Sequence, residues 1–155
     1  MEKVIVRKAI IEDLKSIQKL NNSLFDLEYN NFDDTLKVGW TFEEEGKKYF
    51  EDMIINEIVF VALYEEKIIG YLVGSICNQI SYITETFAEL DNMYIDENYR
   101  RHGIGTLLIN KFKNYCKEKN IQNIKVTASA KNNKAIQFYM KNGFVDYNIT
   151  LRCKI

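Results

Sequence analysis

The sequence predicts a mixed α/β domain, and three observations carry that reading. β-branched and aromatic runs, the clearest at residues 58–64 and 67–76, have the composition of strands. Apolar residues at helical spacing recur between such runs, most regularly from Ile104 to Cys116. An apolar run at residues 90–95 leads through Arg100-Arg101-His102-Gly103-Ile104-Gly105-Thr106 directly into that helical stretch.

Each element follows in order. Val4-Ile5-Val6 reads as a short opening strand. Leu14, Ile17, Asn21 and Leu24 share one face of a helix over residues 11–27. Residues 28–40 mix Asn, Asp and aromatics without a period and read as a loop, followed by a second helix over 42–53. The runs at 58–64 and 67–76 flank Glu65-Glu66 as a hairpin, and 82–95 reads as a longer strand. Ile104, Leu107, Leu108, Phe112, Tyr115 and Cys116 stripe a helix over 103–119, with lysines and Glu118 facing away. Ile124, Val126 and Ala128 alternate with Lys125, Thr127 and Ser129 as a half-buried strand. Residues 131–141 read as a helix stopped by Asn142-Gly143, and 144–152 as a closing strand. The expectation is about six strands in one mixed sheet with about four helices.

Composition narrows the function. The 155 residues, 46% hydrophobic and 28% charged, fit one domain over 1–155 with a core of its own. No apolar run nears the ~20 residues of a membrane span, and Met1-Glu2-Lys3-Val4 does not open a signal peptide. A cytoplasmic protein without a membrane partner is expected. A net charge of −1 supplies no global basic field, so nucleic acid is not an expected partner and any anion site is local. Cys77, Cys116 and Cys153 are odd in number and widely spaced, which suits reduced, mostly buried thiols. No Cys/His group has ligand spacing, so no metal is expected.

The Arg100–Thr106 turn is suited to a diphosphate. First-turn amides of a helix lack intrahelical partners, and the helix dipole favours an anion there. Gly103 and Gly105 let an anion approach the backbone, while Arg100 and Arg101 add forked donors. The plain alternative, glycines easing a turn between solvated arginines, is weakened by the strand before the turn and the anchored helix after it.

These residues carry a resemblance. Arg100-x-x-Gly103-x-Gly105 resembles the Arg/Gln-x-x-Gly-x-Gly/Ala signature of the GNAT superfamily of acyl-coenzyme A-dependent N-acyltransferases. Asn132-x-x-Ala135-x-x-Phe138-Tyr139-x-x-x-Gly143-Phe144 resembles the helix and turn that complete that family's cofactor cleft. Residues 89–96 look like its fourth strand; the family's usual proline after the Asp96 position is absent here. The likeness is specific over 89–144 and looser before it. It implies a sheet splayed between strands 4 and 5 and acetyl-coenzyme A as co-substrate. It also implies pantetheine pairing on backbone of Met93 and Ile95 beside Tyr94, in the manner of β-augmentation. The diphosphate would rest on Arg100, Arg101, His102, Gly103, Ile104, Gly105 and Thr106. Asn132 would contact the pantetheine or cap the next helix, and one residue could do both.

The chemistry implied is acetyl transfer to a primary amine by direct attack in a ternary complex. An alkyl amine is protonated at neutral pH, and neutralising it costs about 4–5 kcal/mol, so a proton acceptor or water path is needed. Glu89 is the first choice by resemblance, with Glu85 and Asp91 as rivals. The oxyanion needs a donor such as a free amide near Met93. The departing thiolate needs an acid, and Tyr139 matches the family's tyrosine. His102, the sole histidine, lies at the phosphate end and reads as cofactor contact or plain exposure. The alternative function is a non-catalytic acyl-coenzyme A-binding sensor of the same fold. On the acceptor side, Tyr29, Phe32, Trp40, Tyr82 and Phe87 are expected as aromatic lining. Asp26, Glu28, Asp33, Asp34, Glu43, Glu44 and Glu45 are the acids that could favour a cation. The 144–152 strand offers an edge for a possible homodimer.

Overall fold

The computed structural model describes residues 4–56 and 58–155. In chain order the elements are β1 (Ile5–Lys8), α1 (Leu14–Asn31), α2 (Glu44–Ile55), β2 (Val59–Tyr64), β3 (Lys67–Ile76), β4 (Phe87–Ile95), α3 (Ile104–Glu118), β5 (Asn123–Val126) and α4 (Asn133–Lys141). Single 3₁₀ turns precede α1 at Ile11–Asp13, precede α2 at Trp40–Phe42 and follow β4 at Glu97–Tyr99. The strands lie side by side in chain order as one sheet. Neighbours are antiparallel up to β4, and β5 runs parallel to β4 after the α3 crossover.

Helices cover both faces of this sheet. Val59, Val61, Tyr71 and Val73 pack with Ile17 of α1 and with Phe50 and Ile54 of α2. Phe60, Ala62, Leu72, Ala88 and Leu90 pack with Leu108, Ile109, Phe112 and Cys116 of α3. β2 is therefore apolar at consecutive positions, because its alternate side chains enter opposite cores. Only Gly fits at position 74 without displacing the Phe112 ring. The α3 stripe differs from expectation at one residue each way: Leu107 is 44% exposed, while Ile109 is buried at 1%. A straight helix turns 100° per residue, and the sheet contact here is centred nearer Ile109.

Three expected strand or loop boundaries are corrected. The sheet has five strands, because residues 144–152 form none. Val145, Tyr147, Ile149 and Leu151 alternate with polar residues as a strand would, but all four are exposed, from 63% to 89%. A period of two gives an amphipathic ribbon, and a strand also needs a ladder partner. The segment is instead fastened by Tyr147 stacked on Phe87 at 5.7 Å and by Arg152 at 4.0 Å from Asp33. Residues 82–86 lie before β4 as a turn, where Thr86 exchanges hydrogen bonds with Gln122. α1 runs on to Asn31, four residues past its expected end at Leu27, so the first four residues of the expected 28–40 loop are helix.

Candidate active site

The site begins at an irregularity in β4. Val73 pairs with Asn92 and Gly74 with Leu90, so Asp91 is an extra residue bulged out of the ladder. The bulge lets Ala88 and Leu90 below it, and Met93 and Ile95 above it, all pack toward α3. Asn92 and Tyr94 then face α1 and α2. Pairing with β5 stops at Leu90 and Val126, which leaves the β4 edge from 91 to 95 without a strand partner. The Asp96 amide donates to Ile69 of β3, so by antiparallel alternation the Met93 and Ile95 amides point to the open edge. That is the splay expected from the sequence.

The open edge ends at the glycine turn. Arg101 (φ 64°) and Gly103 (φ 76°) are both left-handed, with His102 between them. Such alternation turns successive amides toward one concave side. The first helical bond in α3 runs from Leu107 to Gly103, so the Ile104, Gly105 and Thr106 amides have no intrahelical partner. No atom stands within 4 Å of where a Gly103 Cβ would be, which is the room an oxyanion needs. At Gly105 the reason for glycine is different: a Cβ would meet Phe138 Cζ of α4 at 2.7 Å. Arg101 and His102 are exposed, and His102 Nδ1 is 3.3 Å from the Tyr99 carbonyl. Arg100 turns back: its Nε donates to the Ile95 carbonyl at 3.0 Å, and its guanidinium lies 4.9 Å from the Tyr94 ring. It ties the end of β4 to the turn. These residues fit a diphosphate joined to an amide-bearing arm.

α4 closes the far side. Asn132 caps it by accepting from the Ala135 amide at 3.1 Å, and its Nδ2 donates to Glu28 of α1, also at 3.1 Å. The cap is therefore present, and the side-chain amide is bonded to Glu28. Tyr139 sits edge-on to Phe138 and Phe144. Burial, with the charge of Glu28 beside it, pushes its phenol up to about 12, so it keeps its proton at neutral pH. Burial also raises Glu28, against the lowering effect of the Asn132 bond.

The three carboxylates weighed as base, Glu85 before β4 and Glu89 and Asp91 on it, are differently placed. Glu85 accepts from Asn123 Nδ2 at 2.5 Å in the turn below the strand. Glu89 pairs with Lys125 of β5 at 3.3 Å, where the two strands are still in register. Asp91 sits at the point of divergence, accepting from Ser75 Oγ at 2.7 Å and Tyr49 Oη at 3.1 Å. Burial raises its pKa, partly offset by those two hydrogen bonds. Tyr49, Ser75 and Glu28's bond to Asn132 were not legible beforehand, because each joins segments far apart in sequence. Trp40 stacks on Phe25 at 5.9 Å inside the α1–α2 layer, Phe87 on Tyr147, and Tyr82 is 83% exposed. Of the thiols, Cys116 is buried and raised to about 11 by that burial, Cys77 is half-buried and Cys153 is exposed. Among the described residues no group of three or more His, Cys, Asp or Glu could hold a metal ion, and no helix is long and apolar enough to cross a membrane.

Comparison with known proteins accords with this geometry. Residues 21–144 match the family described as "Acetyltransferase (GNAT) family". The chain is similar to an uncharacterized N-acetyltransferase of Methanocaldococcus jannaschii, 34% identical over 58% of this chain and 40% of that protein. It is also similar to the "Probable N-acetyltransferase san" of Drosophila melanogaster, 30% identical over 85% of this chain and 62% of that one. The matched region thus spans less than two thirds of the length of these curated relatives. Its fold is that of a predicted acetyltransferase from Clostridium acetobutylicum solved with acetyl-coenzyme A, at a TM-score of 0.76 and 22% identity over 98% of this chain and 96% of that one.

Proposed function

This chain belongs to the acetyltransferase (GNAT) family, and we propose that it transfers an acetyl group from acetyl-coenzyme A to a primary amine bound in the same complex. The observation that carries the proposal is the unpaired upper edge of β4, which leads through the Glu97–Tyr99 turn to the glycine turn and the free amides of α3. A peptide-like arm suits the first and a diphosphate the second.

Met93, Tyr94 and Ile95, the turn from Arg100 to Thr106, and Asn132 are the residues proposed to hold the co-substrate. Bound acetyl-coenzyme A supplies an activated acetyl carbonyl and a thiolate leaving group. Glu89 is proposed to take the amine's proton, directly or through water, with Lys125 holding its carboxylate in place. Tyr139 is proposed to hold a proton for the departing thiolate, and burial keeps that proton on the phenol at neutral pH. The Met93 amide, facing the open edge, is the proposed donor to the developing oxyanion.

A thiol-release assay with acetyl-coenzyme A tests this, run against a small alkyl amine, a peptide N-terminus, a lysine peptide and an aminoglycoside. Amine-dependent release with at least one class is expected. Tight acetyl-coenzyme A binding without release by any class would favour the alternative of a non-catalytic sensor. Absence of binding would overturn both. Glu89→Gln should keep co-substrate affinity and recover turnover as pH rises and free amine becomes abundant.

A further inference from the structure

We propose that Glu28 keeps the co-substrate slot shut in the free protein: it holds the Asn132 amide across the open edge of β4, and the acyl arm enters by taking that amide from it. The proposal rests on the acetyltransferase reading above and adds the residue that opposes binding until the arm arrives.

The course of the bond follows from what each end packs against. α1 lies, through Ile17, on the sheet face that carries Val61, Tyr71 and Val73. Phe138 and Tyr139 of α4 pack on the opposite core, the one that contains α3. A bond from α1 to the cap of α4 therefore joins the two faces, around the β4 margin that β5 leaves uncovered. Its level along the strand is set by α1. Asn21 stands beside Asn92, 3.5 Å away, and farther along the helix Leu27 and Asn31 share a hollow with Tyr94 and Asp96. Helix and strand thus advance together. Glu28, two turns past Asn21, is about 10 Å farther on, level with the stretch that offers the Met93 and Ile95 amides. A peptide-like arm laid along that stretch runs into the Glu28–Asn132 pair.

The pair is built to hold. Asn132 Oδ1 accepts from the Ala135 amide, and that cap fixes how the side-chain amide is aimed. Nδ2 then donates to Glu28 Oε1 at 3.1 Å, a hydrogen bond strengthened by the acceptor's charge. Nδ2 keeps a second hydrogen, yet the slot stays spanned for as long as the first is held. Both residues are half-buried, and the charge of Glu28 reaches the Tyr139 phenol, so water screens it less than at the surface. Asp33, just beyond α1, lies 4.0 Å from Arg152, a second link from this end of the helix to the chain past α4. An arm carbonyl that accepts from Asn132 exchanges one hydrogen bond for another. Glu28 is then left to water, and this exchange lowers the affinity that Asn132 alone would give.

The test reads binding, and its sign is opposite to that of an ordinary contact residue. Acetyl-coenzyme A would be titrated by calorimetry and its association timed by surface plasmon resonance. Adenosine 3′,5′-bisphosphate, which carries nucleotide phosphates without the arm, serves as the control ligand. Glu28→Ala should bind acetyl-coenzyme A faster and about three- to tenfold more tightly, the net worth of one hydrogen bond. Glu28→Gln still offers an oxygen to Asn132 and should gain much less than Glu28→Ala. Neither variant should gain affinity for the control ligand. Asn132→Ser keeps a capping oxygen and loses the amide, so adding Glu28→Ala to it should bring no further gain. Weaker or unchanged binding of acetyl-coenzyme A by Glu28→Ala would overturn the proposal. Equal gains for Gln and Ala, or a gain shared by the control ligand, would also overturn it by reducing the effect to removal of a charge. A gain that survives in the Asn132→Ser background would do the same. Failure of the parent to bind acetyl-coenzyme A would instead count against the acetyltransferase reading.

Discussion

Tyr139 concentrates two effects in one hydroxyl. It is half-buried between Phe138 and Phe144, and its proton is held by burial and by the charge of Glu28. Tyr139→Phe keeps the ring packing, so acetyl-coenzyme A affinity should change little while turnover drops by roughly 10²–10⁴-fold. Unchanged turnover, with chemistry rate-limiting, would make it a packing residue. The pH consequence has a definite sign. A phenol whose folded pKa lies above its unfolded value of about 10 contributes stability that is intact below that value and is lost as pH rises toward the folded value of about 12. Melting of Tyr139→Phe should therefore fall less steeply than the parent's across that window. Gly103 gives the complementary test. Because nothing lies within 4 Å of a Cβ there, Gly103→Asp should still fold, despite the left-handed φ that aspartate tolerates. Its carboxylate would stand among the free α3 amides, so acetyl-coenzyme A affinity should fall by at least about tenfold in calorimetry. Equal affinity would remove the turn from the site.

At the scale of elements, the two glycines of the turn separate into different jobs. Gly103 faces open space and is proposed to serve the ligand, whereas Gly105 is a contact between α3 and Phe138 of α4. Gly105→Ala sets a Cβ 2.7 Å from Phe138 Cζ, so the ring or its helix must shift. The expected cost is about 1–3 kcal/mol, read as a lower melting temperature, with co-substrate affinity reduced because Asn132 moves with α4. A neutral effect would mean that Phe138 yields freely. This contact also marks how far sequence reaches. Helical and alternating periods made α3, the β2–β3 hairpin and the glycine turn legible, since each rests on spacing within a few residues. The Glu28–Asn132 bond spans 104 positions and the Asn21–Tyr71 bond spans 50, and no local pattern announces either. The Asp91 bulge was hidden for another reason. A one-residue insertion in a ladder depends on the partner strand's register, which β4 does not encode alone. Residues 144–152 mark the opposite failure, where the right period stood without a partner.

For the whole molecule, that last segment is the least committed part. Val145, Tyr147, Ile149 and Leu151 are exposed, and beyond Phe144 the contacts found among the described residues are the Tyr147–Phe87 stack and the distant Arg152–Asp33 pair. A chain ending at Phe144 should lose no more than about 1–1.5 kcal/mol of stability, since one aromatic pair and one exposed ion pair supply little. It should also aggregate less, having shed a row of exposed apolar side chains. A collapse of the melting temperature would show that the segment joins the sheet in solution.

The shortness of β5 has a kinetic meaning beyond the cleft it creates. Four residues, paired on one side and only as far as Leu90, hold the fifth strand to the sheet. β2, β3 and β4 are longer, and only β1 is as short and as one-sided in its pairing, so β1 and the β5–α4 unit are the parts that open most readily. Amide hydrogen exchange should accordingly be fastest there among the regular elements and slowest in β2 and β3. Acetyl-coenzyme A, which would bridge β4, α3 and Asn132, should slow exchange in β5 and α4 far more than in the β2–β3 core. In that case the ligand completes the sheet's last, weakly held portion, and the free protein carries its own co-substrate cleft as a region of local unfolding.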